Sequence, residues 1–230
     1  QARHAASAVK QPFSYIDRTK GIAILLVVLG HLIARERPPG PDIEWYLAFK
    51  DGIYTFHMPL FMAVSGLVYG LTWRNGATLA DDLTDARRRV WRLFPAYVLI
   101  GLAVFVGKLT FQSFSPAVDN RIDGAYELLE LFLQPTASFS SFLWYIYALS
   151  LLYIAFPLVF RALNGQVLWL LPITMTFWWL PDSTWRAWDS LKVLSFFFVV
   201  GVMAGRNHEA TQRCLGLCWL PALILFMVVV

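Results

Sequence analysis

An all-α, polytopic transmembrane bundle with a cytoplasmic N-terminus is the fold class that this sequence predicts. Three observations carry the prediction: composition, the lengths of the apolar runs, and the places where basic residues fall. Of 230 residues, 58% are hydrophobic, 16% aromatic and only 15% charged, whereas a soluble domain has about 45–50% apolar and about 25% charged residues. With 18 Phe, 10 Trp and 9 Tyr and a mean hydropathy of +0.55, the chain has more apolar surface than one water-soluble core can enclose. That composition excludes a soluble enzyme, a disordered chain and a nucleic-acid module. The net charge of +4 and pI of 9.2 do not point to nucleic acid, because the charges lie between apolar runs and so report topology. Cys214 and Cys218 are the only cysteines, too few for a disulfide scaffold, and read as reduced packing residues.

Apolar runs predict about seven spans, at 21–34, 52–73, 93–112, 142–160, 166–181, 190–205 and 214–230; a crossing needs about 20 residues. The first run is short, but Lys20 and Arg35 flank it and can snorkel to the two interfaces. It also reads as a signal-peptide core, although no small-x-small cleavage site follows it. The fifth and sixth runs are short as well. Lys and Arg number 12 on the sides shared with the N-terminus (1–20, 74–92, 161–165, 206–213) and 7 on the opposite sides. The excess puts the N-terminus in the cytoplasm. The external turn Arg37-Pro38-Pro39-Gly40-Pro41-Asp42 separates the first two spans. Residues 223–230 end the chain inside an apolar run, which predicts a single incomplete membrane domain cut at its C-terminus.

Polar groups are costly inside spans and therefore carry functional information. His31 is the ionisable side chain of the first span, 11 residues after Lys20. That spacing returns to within about 20° of the same helix face, about 16 Å further along the axis. Asp17, 14 residues before His31, shares the face. His57 enters the second span at a matching depth. Each histidine alone reads equally well as a buried ring satisfied by a neighbour; two at one depth on sequential spans favour a site. An imidazole suits proton transfer because its unperturbed pKa is about 6.5.

Arg87, Arg88, Arg89 and Arg92 stand in a cytoplasmic loop over 74–92, ahead of Leu93-Phe94-Pro95. Guanidinium groups at the mouth of a span bind phosphate by charge and bidentate hydrogen bonds. The plainer reading is topogenic arginines on anionic lipid headgroups, which Asp81, Asp82 and Asp85 weaken slightly. His31 and Glu36 form an H-x4-E pair that chance explains. No zinc set, nucleophile elbow or phosphate loop occurs, and no metal is expected. Tryptophans 73, 91, 144, 169, 178, 179 and 185 form an aromatic belt near span ends.

Four segments in order resemble the acyltransferase-3 family of integral-membrane acyltransferases. The first is Asp17-Arg18-Thr19-Lys20-Gly21-Ile22 through Gly30-His31, with a basic residue, ten intervening positions and a histidine. The second is Phe56-His57-Met58-Pro59-Leu60-Phe61 through Ser65-Gly66. The third is Arg89-Val90-Trp91-Arg92-Leu93-Phe94-Pro95-Ala96-Tyr97, and the fourth Leu143-Trp144-Tyr145-Ile146-Tyr147-Ala148-Leu149. The Lys form of the first segment is similar to the branch with fucose and polysaccharide O-acetyltransferases. The resemblance implies an acyl-CoA co-substrate, commonly acetyl-CoA, and acceptors that are hydroxyls of cell-surface or lipid-linked glycans. It places the protein among membrane lipids in the bacterial inner (plasma) membrane. It implies that Lys20, Arg87, Arg88, Arg89 and Arg92 hold the nucleotide phosphates. His31 would deprotonate the acceptor or carry the acyl group, and His57 would orient it. Asp17, Ser65 and Trp144 would line or support the groove. The family usually has more spans than this chain.

Two other classes also account for the hydropathy. A transporter or flippase for a lipid-linked or acidic solute needs broken helices, for which Pro59 and Pro172 are the main candidates. A non-catalytic partner in an envelope assembly fits a truncated chain. Neither accounts for Lys20, His31, His57 and the 89–95 segment occurring together.

Overall fold

The structure is a computed structural model that describes residues 44–74, 76–115, 121–183, 186–214 and 216–217, with isolated helical positions between 18 and 28. Among the described residues it is helical and without strands. Helix α1 is Glu44–Leu71, α2 Leu79–Phe111, α3 Glu127–Leu133, α4 Trp144–Ala162, α5 Leu170–Thr176 and α6 Arg186–Arg206. Four helical stretches are long and apolar enough to cross a membrane: Asp51–Leu71, Leu79–Phe111, Ser141–Ala162 and Trp188–Arg206. They correspond to the second, third, fourth and sixth predicted spans. The predicted first and seventh spans fall largely outside the described residues.

Two predicted boundaries shift. Residues 79–92, read as loop, are the first turns of α2. Thr78 caps this helix: its hydroxyl accepts from Asp81 N–H at 3.2 Å, and its own N–H donates to Asp81 Oδ2 at 2.9 Å. Asp81 and Asp82 in the first turn also complement the helix dipole. A 33-residue helix is about 50 Å long, well beyond a hydrocarbon core of about 30 Å. Its leading turns, with the arginines, are therefore free to stand outside the core.

The fifth predicted span is shorter than expected. The apolar helical run Val167–Trp179 comprises α5 between two single 3-10 turns. At 1.5–2 Å per residue it reaches only about 20–25 Å. Proline 181 stops it, because a residue before proline is pushed out of the helical region and Leu180 is extended at φ −72°, ψ 142°. Lys192, counted as external by sequence, lies instead inside α6 with a buried side chain. It donates to the carbonyls of Leu180 at 3.1 Å and Pro181 at 3.3 Å and to Asp182 Oδ1 at 2.8 Å, tying the extended segment that follows the helical run to α6.

Helix α6 is the most enclosed of the membrane-length helices and α2 the least. The closest pairing is between α1 and α6, which run parallel. Gly66 and Gly70 of α1 face Phe198, Val202 and Gly205, while Gly201 and Gly205 of α6 face Ala63, Leu67 and Gly70. Both helices carry G-x-x-x-G, which allows backbone-to-backbone contact where no hydrophobic force drives helices together. Met62, Tyr69, Phe156, Phe160, Phe198 and Val202 fill the core shared by α1, α4 and α6. A second cluster of Tyr97, Ile122, Leu131, Phe139 and Leu143 packs the 121–140 connection onto α2. Gln112 anchors that connection, donating to Ile122 O and accepting from Ile122 N–H, both at 2.9 Å.

The 74–78, 161–165 and 206 segments meet at one end of the bundle, as alternating spans require. Arg161 closes this end, donating through Nε to Asp82 Oδ2 at 2.8 Å and through Nη2 to Ala77 O. Asp82 is buried, and Arg161 keeps about a third of its side chain accessible. Removing one partner of a fully buried pair costs about 3–5 kcal/mol. For this half-open pair, Asp82→Asn is expected to cost about 2 kcal/mol, read as a lower melting temperature in detergent. An unchanged melting temperature would mean the pair adds nothing.

Candidate active site

Helix α1 sets out the polar groups of the bundle interior. His57, Phe61, Ser65 and Tyr69 follow at four-residue intervals, so the series drifts slowly around the helix as it descends. Pro59 sits inside α1 without ending it, as neighbouring helices permit in a membrane. His57 is fully enclosed, and its Nδ1 lies 2.7 Å from Ile53 O. A carbonyl only accepts, so Nδ1 is the donor in this contact, and in a neutral ring Nε2 is then the acceptor nitrogen. The Tyr54 ring meets the imidazole edge-on, with centroids 5.1 Å apart.

Two turns further along, Ser65 Oγ is 3.1 Å from the Tyr145 hydroxyl of α4. Tyr145 packs between Phe61 at 5.8 Å and Trp144 at 6.4 Å. Beyond it lies Arg89. Its guanidinium is 4.6 Å from the Tyr69 ring and 5.5 Å from the Tyr153 ring, and Nη2 donates to Thr72 Oγ1 at 2.6 Å. A delocalised cation over aromatic faces loses less hydration than an ammonium would. A discontinuous polar line thus runs through an apolar bundle from His57, past Ser65–Tyr145, to Tyr69–Tyr153–Arg89.

The arginine cluster is divided by helix geometry. Successive residues turn by about 100°, so Arg89 points at α1 and α4 while Arg87, Arg88 and Arg92 are exposed. Arg88 is 3.5 Å from Asp85, which also binds Arg74 at 2.7 Å. Asp17, Lys20 and His31 lie outside the described residues. Of the predicted groove residues, Ser65 faces Tyr145, and Trp144 lines a cavity of about 660 Å³ with Tyr54, Met58, Thr136, Ser141, Phe142 and Ser190. Tyr54 and Met58 bracket His57 in sequence, so this cavity adjoins the histidine end of the line.

At the opposite end, a cavity of about 430 Å³ is lined by Trp73, Arg74, Arg161, Asn164 and Arg206 among others. Sequence reasoning missed Tyr69, Thr72, Tyr145, Tyr153, Arg161 and Arg206. The four-residue spacing from His57 to Tyr69 was the available signal for the first of these. The rest depend on which helices become neighbours.

Residues 13–230 match the acyltransferase-3 family, described as an acyltransferase domain. The chain is 30% identical over 218 residues to Nodulation protein NolL of Sinorhizobium fredii (strain NBRC 101917 / NGR234), covering 92% of this chain and 56% of that protein. It is 31% identical over 129 residues to Nodulation protein NolL of Mesorhizobium japonicum (strain LMG 29417 / CECT 9101 / MAFF 303099), covering 55% of this chain and 33% of that protein. The chain thus spans little more than half the length of the first of these relatives, and its match to the second covers a third of that protein. No solved structure matches it. A family match over nearly the whole chain, on a bundle of membrane-length helices in which the described motif residues His57, Ser65, Arg89 and Tyr145 lie along one polar line, places this integral membrane protein in the acyltransferase-3 family.

Proposed function

We propose that the protein moves an acyl group, most simply acetyl, from acyl-CoA to a hydroxyl of a cell-surface or lipid-linked glycan. The observation that carries this reading is the polar line between a basic end and a buried histidine, inside the family's matched region. In this reading the arginine end faces the cytoplasm of a bacterial inner membrane, where acyl-CoA is found. Lys20 and the arginines at the start of α2 attract the nucleotide phosphates, with Arg89 the member that turns into the bundle. The acceptor enters from the opposite end, through the cavity of Tyr54, Thr136, Ser141, Phe142, Trp144 and Ser190. Aromatic faces and hydroxyls are the surfaces that a sugar ring uses.

His31 is the group assigned to the chemistry. Its neutral imidazole takes the acceptor hydroxyl proton as the oxygen attacks the thioester carbonyl. The tetrahedral intermediate then collapses with cleavage of the C–S bond, and the imidazolium returns the proton to the departing thiolate. Alternatively the His31 nitrogen itself attacks first, releasing thiol, and the acyl-imidazole passes its acyl group to the hydroxyl. His57, held by Ile53 O through Nδ1, presents Nε2 and orients either His31 or the acceptor. Asp17, on the predicted face of His31, supports the cation at the far end of that stripe. Ser65 and Trp144 shape the groove between the two ends.

The test is thiol release from acetyl-CoA by the full-length protein in liposomes with a glycan acceptor. His31→Ala is expected to lose about 10²–10⁴-fold in rate while CoA binding is retained. Turnover unaffected by His31→Ala would remove this assignment. A transporter remains the second reading, favoured by the interrupted run Val167–Trp179 and the buried Lys192 at its end. It leaves the Ser65–Tyr145 and Arg89–tyrosine contacts without a task, and it predicts solute movement without thiol release.

A further inference from the structure

Three connections converge where α1, α4 and α6 end, and they build a cavity that the sequence reading did not anticipate. Its volume is about 430 Å³, within the range of about 300–1,000 Å³ usual for small-ligand sites. Arg74, Arg161 and Arg206 line it, together with Trp73, Phe160 and Asn164, and no carboxylate is among its described lining residues. Arg74 and Arg161 are each oriented by an acid behind them, Asp85 at 2.7 Å and Asp82 at 2.8 Å.

Arg206 differs from these two. Among the described residues it has no carboxylate partner. Its guanidinium sits 5.1 Å from the Phe160 ring and 6.0 Å from the Trp73 ring. Contact with the ring faces holds the guanidinium while leaving its in-plane N–H donors for an anion. A second cavity, of about 300 Å³, shares Trp73 and Arg206 with Gly70, Gly205 and Asn207, so Arg206 stands on the wall between two open volumes. Tyr69 connects this place to the polar line: its ring is 5.7 Å from Trp73 and 4.6 Å from the Arg89 guanidinium.

We propose that this pocket seats the phosphates of the acyl donor's adenine nucleotide, with Arg206 as the anion-binding cation and Trp73 as a surface beside the base. The inference rests on the acyl-transfer reading and names the donor site within it. The pocket adds to the α2 arginines an open-mouthed site whose cations are oriented by neighbouring acids and rings. Bidentate guanidinium–phosphate geometry is what oriented arginines offer over arginines without such neighbours.

The test measures equilibrium binding of CoA to the full-length protein in nanodiscs, with Arg206→Gln and Arg206→Lys and with Arg121→Gln at the other end of the bundle as control. Arg206→Gln is expected to weaken CoA binding about tenfold, as expected for loss of one charge-assisted contact. Arg206→Lys recovers part of the loss, and Arg121→Gln stays at wild type. In turnover, Arg206→Gln should raise KM for acetyl-CoA but leave KM for acetyl-pantetheine, which lacks the nucleotide, unchanged. Equal effects on both donors, or CoA binding at wild-type strength, would overturn the pocket even if acetyl transfer persists. An Arg206→Gln effect that vanishes in phosphatidylcholine-only nanodiscs assigns the pocket to an anionic lipid headgroup and also overturns the proposal. Tight, Arg206-dependent CoA binding without any acetyl transfer keeps the pocket and removes the acyl-transfer reading.

Discussion

Replacing His57 by Asn is expected to lower acyl transfer about a hundredfold while the protein melts close to wild type. In the proposed reaction the imidazole has two separable tasks. Nδ1 donates to Ile53 O at 2.7 Å within α1, a contact that serves the helix. Asn branches at the same Cγ and carries an N–H at the position of Nδ1, so it can keep that bond. It offers nothing at the position of Nε2, the nitrogen that accepts or orients a proton. His57→Ala removes both tasks and leaves a void in a fully buried site, so it confounds stability with chemistry. The measurement is kcat beside the melting temperature for both variants. KM for the donor should hold in His57→Asn, because the end of α1 at Leu71, just before Trp73, lies 14 residues further along the helix, about 21 Å. Wild-type turnover in His57→Asn would make the residue a core histidine and nothing more.

Gly201→Ala is expected to destabilise the bundle by about 1–3 kcal/mol, the usual cost of overpacking a close contact, and Gly201→Leu by more. A Cβ on Gly201 would run into the carbonyl oxygen of Ala63, and one on Gly66 into that of Phe198. These obstacles are backbone rather than the flexible ends of side chains, so only separation of α1 from α6 relieves them. Separation would open the core around Met62, Phe198 and Val202 and pull Tyr69 away from Phe198, now 5.7 Å distant. Gly107→Ala is the contrast. No described heavy atom lies within 4 Å of where a Cβ would stand, so the substitution should gain about 0.5–1 kcal/mol in helix propensity. Melting temperatures in detergent check both. A Gly201→Ala protein as stable as Gly107→Ala would mean that the close approach of α1 and α6 contributes little.

Much of the architecture could be read from the chain because hydropathy and charge bias are local properties. The runs around 52–73, 142–160 and 190–205 become membrane-length helices without any knowledge of their neighbours, and the motifs around His57 and Arg89 identify the family. Boundaries were less legible. A polar, arginine-rich stretch reads as loop, yet a Thr78–Asp81 capping box makes it helix. An apolar run reads as a span, yet Pro181 ends it early and Lys192 ties down the extended segment that follows.

What the chain alone determined is its class, its membrane-length segments and the residue types able to carry acyl-transfer chemistry. Which of four clustered arginines turns inward, and which glycines meet, was decided by tertiary structure. The orientation of Arg89 depends on the rotation of α2 against α1 and α4, and so on packing along the whole helix. The G-x-x-x-G pairs acquire meaning only when two helices 135 residues apart in sequence, at Gly66 and Gly201, lie side by side. The pocket around Arg206 needs three chain segments to meet at one end of the bundle. Periodicity within a single segment does not encode that meeting; the packing of membrane helices against one another does.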